Sequence, residues 1–467
     1  MTPGRLLGTL GLLLAACGKP ETEPPPPLPA LATPVSLLRL PQDGGYATVW
    51  SPDSLRSLEW RSDAPIPPIE AIPGADLDDQ LVYLHDENGD VIGLDLESGT
   101  VRPLLPGARV PTAGPDGALF ASVEGRVVRL AQRRVHPYRS EVTGRIDRLF
   151  GTLNGQVTVV TTADSVRMAL VGPDRAGAPR TIPAGSVVGA SPWGDQVAIV
   201  AGDELTLHDA NERGAFHRVT VPSGTEALRY SASGHRIYLV GRRPVIDILD
   251  RLTRKQLTPI ALPGPARDLR DDFSGRWLLV RPVGVDSVWV VDVASGRHVT
   301  TVATEWDVDL PLVTGGSTLL VRGEDGSVVS LDLGVAPPRE TGRIADAGAD
   351  LWMAIRWLPR ALRGSAIAAA ETALVAQDSG LVLPPSEALD APADARVFLQ
   401  ISSSRNPEWA RALARQVTSL GFPATVAVPE SRDDGYRVVV GPYSSREAAE
   451  EAGRRLGRPY FVLTRDR

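Results

Sequence analysis

Residues 78–101 read DDQLVYLHDENGDVIGLDLESGTV. A turn-rich pair of carboxylates and Gln leads into an alternating apolar strand. Asp86-Glu87-Asn88-Gly89-Asp90 then breaks it, a second alternating strand follows, and Ser98-Gly99 ends that one. Alternation of period two argues for half-buried strands, and the Asn-Gly and Ser-Gly steps argue for hairpin turns in which glycine supplies a positive φ. The same outline returns six times downstream. Its later starts are Gly117, Gly155, Gly194, Gly234, Gly275 and Gly316, each about 40 residues after the last. Self-similarity at one fixed period outranks any local reading of secondary structure.

Four short strands with their turns occupy about 40–45 residues, the length of one propeller blade. The segments resemble the bacterial β-propeller repeats of the WD40-like and YVTN-like kind. That resemblance implies an architecture of mainly β class and no particular activity. Seven units read as seven blades. The ends hold the alternative: residues 46–61 (YATVWSPDSLRSLEWR) look like the outer half of a blade without an inner half. If residues 352–377 supply the missing strands, the count is eight, and closure by the two chain ends removes exposed edges.

A chain of 467 residues is too long for one ordinary core. Glycine (45) and proline (41) are plentiful, which favours turns and short strands. The net charge of −7 gives no basis for a nucleic-acid partner. The lone cysteine, Cys17, excludes an internal disulfide and a Cys-based metal cluster. The six histidines are scattered, with no two spaced as a local metal pair. Neither a Gly-x-Ser-x-Gly elbow, a Walker loop nor a His-Glu-x-x-His helix occurs. The segment from Asp86 to Asp90 is a hairpin turn, since a calcium loop would need further ligand positions and a Glu at position 12. Catalytic residues, cofactor and metal are therefore all expected to be none. The tryptophans Trp193, Trp277, Trp289, Trp306, Trp352 and Trp357 read as core.

Residues 1–17, MTPGRLLGTLGLLLAAC, place Arg5 before an apolar run that is too short to span a bilayer but suits a signal peptide. Leu14-Ala15-Ala16-Cys17 resembles the bacterial lipobox. The resemblance implies cleavage after Ala16 and lipid attachment at Cys17, which would hold the chain on a membrane. Gly18 rather than Asp follows the cysteine, which favours the outer membrane. The tether GKPETEPPPPLPALATP is proline-rich and too poor in apolar residues to fold.

After the stretch LPPSEALDAPAD (383–394) the pattern changes. RVFLQIS (396–402) alternates as a strand. Asn406 and Pro407 open a helix whose stripe is Trp409, Leu413, Val417 and Leu420, ended by Gly421. ATVAVPE and YRVVVGPY are strands, Ser444 and Glu447 form a capping box for a second helix, and YFVLTR closes the set. The order β-α-β-β-α-β lays two helices on one face of a four-stranded sheet. Leu399, Ile401, Val438 and Val440 then face the helices, and Phe398, Gln400, Arg437 and Val439 face away.

Val397-Phe398-Leu399-Gln400, Leu420-Gly421-Phe422-Pro423-Ala424 and Tyr436-Arg437-Val438-Val439-Val440-Gly441-Pro442-Tyr443 followed by Ser445-Arg446-Glu447-Ala448 resemble the SPOR (sporulation-related repeat) domain. The resemblance implies binding to peptidoglycan glycan strands that have lost their stem peptides, as at division septa. The glycan-binding residues it points to are Phe398, Gln400, Ser403, Arg437 and Val439. Gln400 offers donor and acceptor to sugar hydroxyls, Arg437 donors only, and Phe398 a ring to stack on a pyranose. Two departures bear on affinity: Gly435 stands where many relatives carry an aromatic, and Ser402-Ser403-Ser404 where they read Gly-Ser-Phe.

The sequence thus divides into a lipoprotein signal peptide (1–16), lipidated Cys17 and tether (17–35), β-propeller (36–380), linker (381–394) and SPOR domain (395–467). The expected protein is non-enzymatic and lipid-anchored in the cell envelope, facing the periplasm from the outer membrane. Its SPOR domain would grip glycan strands while the propeller recruits a protein partner that the sequence does not identify. Two alternatives stay open: a propeller enzyme of lyase or quinoprotein kind that SPOR positions on the wall, and an outer-membrane assembly scaffold.

Overall fold

Gly117, Gly155, Gly194, Gly234 and Gly275 each sit in a tight turn with φ between +63° and +77°. Each donates its N–H to the carbonyl three residues back, as Gly275 does to Asp272 at 3.1 Å. The repeat therefore begins at the turn between the first and second strands of a four-stranded unit, and only glycine adopts that backbone without strain. The computed structural model describes residues 35–76, 80–152, 155–192, 194–209, 216–232, 234–251, 253–272, 275–293, 295–314, 317–359, 396–404, 407–419, 421–428, 436–445, 448–449, 452–453, 456 and 460–465. Cys17, the tether and the linker at 381–394 lie outside them, as do Trp193 and residues 360–380.

Among the described residues, eight antiparallel four-stranded sheets precede residue 360. Seven are continuous in sequence and span Ile69–Leu105, Arg109–Pro137, Arg145–Thr181, Val187–Thr220, Thr225–Ala261, Ala266–Ala303 and Leu312–Ile344. These are blades 2 to 8. Blade 1 joins the chain ends: Ser36–Leu40, Thr48–Trp50 and Ser57–Arg61 take a fourth strand from Leu351–Ile355. Leu38 pairs with Met353 and Arg39 with Trp352. The seven-blade count is thereby corrected to eight. The N-terminal piece holds three strands, because Ser36–Leu40 comes before the outer pair read from the sequence. The C-terminal piece supplies one strand, the innermost.

Burial explains the sequence pattern. Second strands such as Gln196–Ala201 and Thr318–Arg322 are buried almost throughout, because neighbouring blades cover both faces. Outermost strands such as Phe216–Thr220 and Arg297–Ala303 alternate strictly between exposed and half-buried. Apolar clusters fill the gaps between successive blades. Leu320 and Val328 of blade 8 meet Leu37 and Trp352 of blade 1, while Leu38 and Val49 of blade 1 meet Ile69 and Val82 of blade 2. The ring thus closes on apolar packing, and Trp357 adds a hydrogen bond from its indole N–H to Gln80 at 3.0 Å. Trp277, Trp289, Trp352 and Trp357 are core residues, and Trp306 packs half-buried against the blade 7 and 8 cluster.

Turns account for the acidic motifs. The Asp86 carboxylate accepts the backbone N–H groups of Asn88 (3.0 Å) and Asp90 (2.7 Å), with Gly89 at φ +83°. Gly323–Gly326 closes likewise, with Asp325 accepting from the Ser327 N–H. At Asp292 the Ser295-Gly296 step returns the Gly296 N–H to the Asp292 carbonyl at 2.9 Å.

The C-terminal body is a separate four-stranded sheet in the order 424–427, 436–443, 396–404, 461–465. Its cluster of buried apolar side chains draws only on residues 397–460, so it has a core of its own. No helix among the described residues is long and apolar enough to cross a membrane.

Candidate functional site

The helix Pro407–Ser419 lays Ala410, Leu413, Ala414 and Val417 on the sheet. Leu399, Ile401, Val438 and Val440 meet it, as alternation requires. Gly421, at φ +84°, ends the helix by donating to the Thr418 carbonyl at 3.0 Å. The Trp409 side chain and Leu420 lie outside the described residues. The second helix is capped by Ser445 and not by Ser444: the Ser445 hydroxyl accepts the Ala448 N–H at 3.1 Å. Asn406 and Glu447 lie outside the described residues.

The far side of the sheet is where the SPOR resemblance puts sugar. Phe398, Arg437 and Val439 are half-buried there. Gln400 is not at the surface: it is 2% exposed, which corrects its reading as a solvent-facing contact. It lies mid-way along a central strand, with Val439 on one side and position 461 on the other, so neighbours flank it from both directions. The register shifts between Gln400 and Ser402 and again between Val397 and Leu399. After the shift, position 403 pairs with Arg437. Simple alternation from Phe398 and Gln400 would have put 402, not 403, in that row; the irregularity restores it.

Gly441 in the Gly-Pro step has a physical reason. Its φ is +130°, and a Cβ there would stand 3.1 Å from the Val397 carbonyl oxygen and 3.2 Å from the Phe398 ring. A larger residue would push the ring away from its place beside the sheet.

The propeller stands against one end of this sheet, a feature with no signal in the sequence. A Cβ built on Gly275 of blade 7 would lie 3.5 Å from the Tyr460 carbonyl oxygen. His235, in the equivalent turn of blade 6, is 3% exposed. Burial first, then the charges of Arg236, Arg251 and Arg437, hold its imidazole well below the usual range, so it is neutral at neutral pH.

Charged groups also gather on the inner strands of blades 6 and 7. They are engaged with one another. Arg229 Nε donates to the Leu269 carbonyl at 3.1 Å, Arg270 to the carbonyls of Pro311 (3.1 Å) and Asp307, and the Trp306 indole N–H to Asp268 at 3.2 Å. These bonds brace blade to blade. Behind them, Arg251 of blade 6 clamps Asp195 of blade 5 with two bonds of 2.7 and 2.8 Å, and Ser191 donates to the same carboxylate. Burial alone would raise the Asp195 carboxyl; the Arg251 charge and these hydrogen bonds overcome that and hold it low. Asp271 behaves differently: burial and then the neighbouring Asp272 raise it to about 7. No group of three His, Cys, Asp or Glu among the described residues is placed to hold a metal ion.

The SPOR domain family matches residues 393–462. No curated protein matches the chain. Among solved structures, AztD from Citrobacter koseri in its apo form is 14% identical with a TM-score of 0.51, over 69% of this chain and 98% of that one. Dihydro-heme d1 dehydrogenase NirN in complex with DHE is 16% identical with a TM-score of 0.49, over 66% and 73%. The β-propeller domain of Cps50 (Swd1) from Myceliophteria thermophila is 13% identical with a TM-score of 0.40, over 57% and 97%. At such identities the likeness concerns fold alone. Closed topology and family match together make the chain an eight-bladed β-propeller followed by a member of the SPOR domain family.

Proposed function

We propose that this protein is a lipid-anchored cell-wall tether, in which Cys17 holds the membrane, the SPOR sheet grips denuded glycan strands and the propeller recruits a protein partner, at the division septum or along the wall. A SPOR domain marks a cell-envelope protein that binds peptidoglycan. The observation that carries the finer reading is the row formed by Phe398, Val439 and Arg437 on the helix-free face, with position 403 opposite Arg437. It combines a ring, an apolar floor and a five-donor guanidinium, a set suited to a sparsely charged chain rich in hydroxyls. Gln400 pairs with Val439 in the same sheet but is buried, so it is left out of this row. The outer-membrane placement rests on Gly18 after the lipobox cysteine.

The test uses residues 393–467, whose core is self-contained. This fragment should co-sediment with purified sacculi, and better after an amidase has removed stem peptides. Losing one hydrogen-bond partner typically costs about 1–3 kcal/mol, roughly five- to 150-fold in affinity. Phe398→Ala and Arg437→Ala should each weaken pelleting with the melting temperature nearly unchanged. Equal pelleting by the wild type and the double variant would reject this face as the site.

A second reading, a propeller enzyme that SPOR places on the wall, draws on Asp271, a carboxyl near 7 at the end of an inner strand. It requires Asp271→Asn to abolish an activity in envelope extracts without altering glycan binding.

A further inference from the structure

The turn glycines at the starts of the repeats are geometrically equivalent, but their surroundings are not. A Cβ on Gly117 would meet Asp76, and one on Gly194 would meet Gly151 and Thr152, all from the preceding blades. On Gly275 the nearest atom is the Tyr460 carbonyl oxygen, from the SPOR domain, ahead of Ala232 of blade 6 at 3.8 Å. Tyr460 precedes the strand Phe461–Arg465, whose Phe461 pairs with Gln400. Arg437 begins the central strand and pairs with position 403. Both therefore belong to the same end of the sheet. The charge of Arg437 reaches His235 in the blade 6 turn, which is the neighbouring turn on the same face of the ring. The blade 7 turn and one end of the sugar-facing sheet are thus in contact, with the blade 6 turn beside them.

A glycan strand is a thread. To lie along Phe398, Val439 and Arg437 it must run off both ends of that row. The Gly275 turn of blade 7 stands at the Arg437 end, so the docked propeller and a bound strand compete for the same space. We propose that the propeller is a built-in seat for the SPOR domain: Gly275 of blade 7, with His235 of blade 6 beside it, holds the Arg437 end of the sheet, and glycan strands gain that surface only when the seat opens. This rests on the glycan-binding reading above. Residues 360–395 could span at most roughly 120 Å when extended, ample for the two bodies to part. The apparent affinity for the wall is then the intrinsic affinity reduced by the fraction of molecules that are open. By linkage, a partner that binds the vacated turns strengthens wall binding, and glycan frees those turns for that partner.

The test compares two isosteric substitutions in the full chain. Asn and Asp both tolerate the left-handed backbone of Gly275. Asn can donate to the Tyr460 carbonyl and keep the seat closed, whereas Asp offers only acceptors and opposes it. With amidase-treated sacculi as the probe, wild type and Gly275→Asn should pellet weakly. Gly275→Asp should gain roughly fivefold or more, approaching the 393–467 fragment, with faster amide exchange over 436–439. A wild-type chain that already pellets as well as the fragment overturns the seat, as does a Gly275→Asp chain that exchanges faster without pelleting better. Should Gly275→Asp unfold blade 7, the wild type decides: saturating denuded glycan strands must speed exchange at 235–236 and 275–277, and unchanged exchange there overturns the proposal. If the fragment itself fails to pellet, the glycan reading fails first.

Discussion

Replacing Trp352 tests the closure of the ring. Trp352 lies on the fourth strand of blade 1, is 1% exposed, and packs among Leu37, Leu310, Leu320 and Val328. Its ring meets Trp50 edge-on at 6.5 Å, its indole N–H donates to the Ala347 carbonyl at 3.3 Å, and its backbone N–H donates to Asp309 at 2.7 Å. Trp352→Ala keeps the last of these and loses the rest. A buried Trp→Ala change costs about 3–5 kcal/mol through lost burial and residual cavity. The edge-on pair contributes about 0.5–1.5 and the orphaned Ala347 carbonyl about 1. These terms overlap with the first, so a loss near the top of that range, about 4–5 kcal/mol, is expected. Urea titration followed by circular dichroism should show an earlier transition. Amide exchange should rise in Leu37–Arg39, which pair with the closing strand, before it rises in blades 4 and 5. Half-buried Trp50→Ala should cost about 1 kcal/mol, as befits loss of the pair alone. If Trp352→Ala costs less than about 1 kcal/mol and exchange in Leu37–Arg39 does not change, residues 351–355 are not what closes the ring.

Two further predictions concern the anchor and pH. Cys17→Ser should abolish metabolic labelling with palmitate and leave the precursor uncleaved; label that persists in the variant refutes lipidation at Cys17. Asp271, raised from 3.8 to about 7 by burial and by Asp272, keeps a proton in the folded chain that the unfolded chain releases. Its effect on stability is therefore absent below about pH 4 and increasingly unfavourable as pH rises to about 7. The slope should approach 1.4 kcal/mol per pH unit at most, and Asp271→Asn should flatten it; identical pH profiles for wild type and variant would show that Asp271 ionises normally.

Much of this protein is written locally. Short apolar runs such as QVAIVA and TLLVR, alternating ones such as FHRVT, and glycines at a fixed interval specify strand, turn and strand wherever they occur. The same logic placed Leu399, Ile401, Val438 and Val440 under the helices of the SPOR domain, because side-chain direction in a strand depends only on parity. What the sequence could not decide depends on partners far away in the chain. Ser36–Leu40 and Leu351–Ile355 become one sheet only because the blades between them bend the chain into a ring; the half-blade at 46–61 hinted at such a closure, but no local signal fixes which strands complete it. Gln400 follows the alternation onto the helix-free face but is buried there, and parity along a strand fixes the face and not the burial. The register shift after Gln400 brings position 403 opposite Arg437, which no count of residues from Phe398 reveals. Gly275 reads like every other turn glycine of the repeat. That it lies against Tyr460 is settled by how two folded bodies meet, since contact between surfaces has no period along a chain.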